Sequence, residues 1–102
     1  MTGYDFDPEG RLDLDEIWEF IRADNLAAAD RMITEILAAI DARAFSQSGP
    51  QAPGPHHTAM RFILVHEYLI ACAPDAKPLW VVAVMHGRRS PRVMAAILRG
   101  RD

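Results

Sequence analysis

Apolar positions are spaced in two different ways along this chain. In the first half they recur every three or four residues. Leu14, Ile17, Trp18 and Ile21 fall at i, i+3, i+4 and i+7, which places them on one face of a helix. The other face carries Asp13, Asp15, Glu16 and Glu19. Asp7 followed by Pro8 predicts the start of this helix, a capping side chain and then proline at the first helical position. Glu9 suits its positive end, and the pattern stops near Ala23. Asn25 can cap a second helix, whose stripe is Ala29, Met32, Ile33, Ile36, Leu37 and Ile40. A break this short between two amphipathic helices predicts an antiparallel helical hairpin. Ahead of it, Tyr4-Asp5-Phe6 alternates as a short edge strand would.

In the second half the apolar residues crowd into runs, roughly Thr58–Val65, Tyr68–Ala73 and Leu79–His86. Short runs rich in β-branched and aromatic side chains, bounded by turn residues, read as strands. Their connections are too short for parallel crossovers, so the three are expected to be antiparallel. His66-Glu67 is a poor two-residue turn, because neither residue favours positive φ. Leu79 to Met85 contains no polar residue, so both faces of this strand need cover. The hairpin supplies one cover, with Trp18 and Ile36 expected to lie buried between it and the sheet. Ser90-Pro91 begins a last helix with Met94, Ile97 and Leu98 on its apolar side and Gly100 as a stop. At about three turns it covers only part of the second face. The leftover apolar surface marks a partner. The predicted fold is α+β: an N-terminal helical hairpin packed on a small antiparallel sheet, then a short C-terminal helix, as one domain over 1–102.

Composition narrows the function. Half of the 102 residues are hydrophobic, which argues against disorder. No apolar run approaches the roughly 18 to 20 residues of a membrane span, and the first residues lack the regions of a signal peptide. A lone cysteine, Cys72, fits a reducing cytoplasm, the expected location. The net charge of −3 divides unevenly. Residues 1–45 carry eleven acids and four bases, a net of −7, whereas residues 46–102 carry three acids and seven bases, a net of +4. That overall balance argues against direct sequence-specific nucleic-acid binding by this chain. The stretch 46–58 holds three prolines and two glycines and reads as a loop. His56-His57 within it has no accompanying cysteine or carboxylate cluster, so neither metal nor cofactor is expected.

Several sequence words, in their order, carry a resemblance. They are Asp13-Leu14-Asp15-Glu16-Ile17-Trp18-Glu19-Phe20-Ile21; Asp24-Asn25 with Ala28-Ala29-Asp30-Arg31; Met60-Arg61-Phe62; Tyr68-Leu69-Ile70; and Val84-Met85-His86-Gly87-Arg88-Arg89. Together they resemble the RelE/ParE superfamily of toxins from type II toxin–antitoxin systems, most closely the ParE branch. The resemblance implies a toxin that inhibits DNA gyrase and is neutralised by a cognate antitoxin. That antitoxin would carry a DNA-binding N-terminal module. The alternatives are a RelE-like ribosome-dependent mRNA endonuclease and an inactive antitoxin-binding module.

The candidate residues follow these alternatives. RNA cleavage needs a proton acceptor, a proton donor and cations for the phosphate, and Arg61, His86, Arg88 and Arg89 are the candidates. The competing reading ties Arg61 to a helix acid and makes His86 a hydrogen-bonded strand-end residue. A single lysine, Lys77, and a net negative charge fit poorly with competition for ribosomal RNA phosphates. For a gyrase inhibitor, Arg88, Arg89, Arg92, Ile97 and Leu98 are the candidate target contacts. Arg61, Tyr68 and Trp80 are the candidate antitoxin contacts.

Overall fold

A computed structural model of the chain describes residues 3–45, 60–73 and 79–101. In chain order the elements are β1 (Tyr4–Phe6), α1 (Pro8–Arg22), α2 (Leu26–Phe45), β2 (Arg61–Val65), β3 (Tyr68–Ala73), β4 (Leu79–His86) and α3 (Pro91–Arg101). The class is α+β, as expected. All three helix starts use the side chains the sequence offers. Asp7 accepts from the Glu9 N–H at 2.9 Å, Asn25 from the Ala28 N–H at 3.0 Å, and Ser90 from the Val93 N–H at 3.2 Å. Each satisfies a donor that the first helical turn leaves open. The α3 helix runs through Gly100 rather than stopping there.

The sheet corrects the expectation of a purely antiparallel arrangement. Its order is β1-β4-β3-β2. The pairs β2–β3 and β3–β4 are antiparallel, but β1 pairs parallel with β4, Tyr4 opposite Leu79 and Phe6 opposite Val81. Short connections dictate antiparallel neighbours, whereas the partner of a strand at the far end of the chain is set by the crossover of everything between. The β2–β3 hairpin does use the two-residue turn His66-Glu67, and His66 takes a φ of +54° to make it. The His66 ring is held there by the Glu35 carboxylate of α2.

Both sheet faces are covered, unequally. The hairpin side buries Leu14, Ile36 and Ile40 against Ile63, Ile70 and Val81. Ile36 is fully buried, as expected. Trp18 is not. It is half-buried, its Nε1–H donating to the Asp30 carboxylate at 2.9 Å while Arg22 lies 5.1 Å from its ring centroid. An indole needs a partner for its N–H, and an acid on α2 supplies it away from the sheet. On the second face Met94, Ile97 and Leu98 of α3, with Trp80, pack against the buried cluster of Ala71, Val82, Ala83 and Met85. This helix leaves the β2 side open, and Phe62 and Leu64 remain 46% and 69% exposed.

A bulge reconciles the two faces along β4. Ala71 pairs with Ala83 but Cys72 pairs with Val81, so Val82 is an extra residue. Leu79, Val81 and Val84 consequently reach the hairpin side, while Val82, Ala83 and Met85 reach the α3 side. Among the described residues, no helix is long and apolar enough to cross a membrane.

Candidate functional site

Three elements meet at the end of the sheet where β4 finishes. The strand order puts Val65, Tyr68 and His86 abreast, Val65 opposite Tyr68 and Tyr68 opposite His86. The β2–β3 turn brings Glu67 beside them, and the chain beyond His86 delivers Arg88 and Arg89 before α3 begins. Alongside runs α1. Its Asp13 carboxylate accepts from the Val84 N–H at 3.0 Å, on the part of β4 that lies beyond the reach of β1. Between α1 and this end of the sheet lies a groove of about 360 Å³. Glu16, Ile17, Phe20, Tyr68, His86 and Arg89 are among the residues that line it.

His86 is locked at both ring nitrogens. Its Nδ1 accepts from the Arg88 backbone N–H at 3.1 Å, which assigns the proton to Nε2. Nε2 then donates to the Glu67 carboxylate at 3.1 Å. The ring also stands edge-on to Tyr68, 5.4 Å between centroids. Tyr68 is buried, and its phenol is pushed above the usual range, first by that burial and then by the negative charge of Glu67. Arg88 and Arg89 are exposed, as is Arg92 on the first turn of α3.

The remaining candidates are dispersed. Arg61 begins β2 opposite Cys72, at the other end of the sheet from His86. Four residues of strand and two strand spacings put the two roughly 16 Å apart. The strands therefore gather His86, Arg88 and Arg89 but leave Arg61 out. Tyr68 faces the hairpin while Trp80 lies half-buried beneath α3, so these two sit on opposite faces. Ile97 and Leu98 are half-buried in the same α3 contact. His56, His57 and Lys77 lie outside the described residues. Among the described residues, no group of three or more metal-binding side chains is present.

Sequence reasoning missed Glu67, Asp13, Phe62 and Leu64. Glu67 reads only as a turn residue, and Asp13 only as part of a solvated helix face. Phe62 and Leu64 sit in an unbroken apolar run that gives no sign of which residues face a covering element.

Comparison with known proteins adds one match. The model of the family described as the ParE toxin of the type II toxin–antitoxin system, parDE, matches residues 4–91. The span runs from β1 to the first residue of α3. No curated protein matches the chain.

Proposed function

This chain belongs to the ParE toxin family of type II toxin–antitoxin systems, and from that premise we propose that it inhibits DNA gyrase by direct contact and does not cut RNA. The observation that carries this reading is the bonding of His86. A general base must offer a free lone pair within reach of the proton it takes. Here Nδ1 is occupied by the Arg88 N–H and Nε2 by Glu67. Of the nuclease candidates, Arg61 also stands too far away to join His86, Arg88 and Arg89 in one site. What His86 does in this arrangement is hold the chain that presents Arg88 and Arg89. Those two, with Arg92 and the exposed side of α3, form the surface offered to the target.

The family implies an antitoxin partner. We place it on the second face of the sheet, where Phe62 and Leu64 lie open beside α3. An amphipathic helix from the antitoxin's C-terminal part would cover these residues, with acidic side chains toward the basic half of the toxin. Tyr68 is buried on the hairpin side, so contact falls to Phe62, Leu64 and the exposed parts of Arg61 and Trp80. The antitoxin's other end would be a dimerising DNA-binding module, and the complex would repress its own operon.

The test is ribosome-dependent mRNA cleavage by purified toxin. No cleavage is expected, from the native chain or from His86→Ala. Cleavage that His86→Ala abolishes while the fold survives would establish the endonuclease reading instead. If expression without the antitoxin leaves bacterial growth untouched, the chain is an inactive binding module.

A further inference from the structure

Among the described residues β2 is the outer strand of the sheet, paired with β3 on one side only. Edge strands are normally blunted by proline, a bulge, an inward charge or a covering element. Arg61–Val65 reads RFILV, with no proline, no central charge and no bulge in its pairing with β3. Burial alternates along it. Ile63 and Val65 are buried toward the hairpin, while Phe62 and Leu64 stand out on the opposite face.

The two ends of this strand differ in charge. Arg61 opens it. At its close lie Glu67, whose side chain is 63% exposed, and Glu35, which meets His66 from α2. An antiparallel neighbour of the same sequence is complementary to both features. With Ile63 facing Ile63, Phe62 of each copy stands opposite Leu64 of the other, and the apolar side chains meet as cross-strand pairs. The same register carries each Arg61 toward the other copy's acidic turn. A parallel neighbour would instead set Arg61 beside Arg61.

We propose that, in the absence of a covering partner, two copies of this chain pair antiparallel through β2 about a two-fold axis at Ile63. The product is a continuous eight-stranded sheet, four strands from each copy. The contact uses the same patch on both copies and closes on itself, so association stops at the dimer. It is small beside the ~1,600 Å² of a standard stable interface, and a dimer dissociating in the micromolar range is expected. The inference stands on the strand and its charges and does not require the gyrase reading.

Sedimentation of the purified full chain over a concentration series tests it. A reversible monomer–dimer equilibrium is expected. Phe62 and Leu64 are exposed, so Phe62→Lys and Leu64→Glu should each keep the native circular dichroism spectrum. Each should raise the dimer dissociation constant about tenfold. The double variant sets Lys opposite Glu only in the antiparallel register, so its loss should be smaller than the product of the two single losses. A wild-type chain that stays monomeric at every concentration overturns the proposal. So does a dimer indifferent to both substitutions, and so does a double variant whose loss equals the product.

Discussion

A methyl group at Gly10 would stand 2.9 Å from the Val81 carbonyl oxygen and 3.0 Å from that of Val82. Gly10 lies in the first turn of α1, where alanine gains over glycine at most the roughly 0.5–1 kcal/mol of a mid-helix site. Here the new carbon meets backbone that cannot swing aside, and such overpacking costs about 1–3 kcal/mol. The clash wins, and Gly10→Ala should lower the urea midpoint. Asp13→Ala should do likewise by about 1–3 kcal/mol, because the Val84 N–H loses its acceptor where water reaches only in part. Cys72 has a pH signature. Burial pushes its thiol from 9.0 up to about 11, against a weaker opposing pull from Arg43. The unfolded thiol ionises near 9.0 while the folded one keeps its proton, so this contribution is intact below pH 9 and lost as pH rises through about 11. Urea midpoints at pH 8 and pH 10.5 should diverge, and Cys72→Ala should shrink the difference. None of these roles is legible in the sequence. Gly10 carries no signal there, since the carbonyls it must approach come from the far end of the chain.

At the scale of elements, local chemistry was legible and long-range pairing was not. The caps at Asp7, Asn25 and Ser90 involve residues two or three apart, and all three form as read. The stripe ending at Ile36 and Ile40 was equally clear, because a helical face is a local property. Ile36→Asp should abolish folding, since it buries an unpaired charge in the fully enclosed position between α2 and the sheet. Loss of the far-ultraviolet helical signal in the purified variant is the expected result. The bulge at Val82 was invisible for a physical reason. A strand with no polar residue shows no phase, so nothing marks where its faces exchange. The parallel pairing of β1 lay beyond reading because no local rule names a partner as distant as Leu79 is from Tyr4. For the candidate site, the sequence showed the strand-end cluster of His86, Arg88 and Arg89. It did not show that Glu67 and the Arg88 N–H occupy the His86 ring.

At the scale of the whole molecule, the described residues present two surfaces of different character. One is the basic end formed by Arg88, Arg89 and Arg92, next to the groove that Phe20 and Tyr68 line. The other is the open sheet face at Phe62 and Leu64. We assign the first to the target and the second to the antitoxin. The charge division follows the architecture: the acids of residues 3–45 lie along β1 and the hairpin, whereas Arg88, Arg89, Arg92 and Arg99 follow the sheet into α3. If contact rather than chemistry inhibits the target, then removing cations at the basic end should weaken inhibition in steps. Removing the His86 side chain should act only through the presentation of Arg88 and Arg89. The most direct measurement is plasmid supercoiling by purified DNA gyrase in the presence of the purified toxin. Supercoiling should be blocked by the native chain. The combined Arg88→Ala and Arg89→Ala variant, folded by circular dichroism, should need at least ~tenfold more protein for the same block, a loss of about 1.4 kcal/mol in contact free energy. Supercoiling that proceeds unhindered at saturating native toxin would contradict gyrase inhibition by contact.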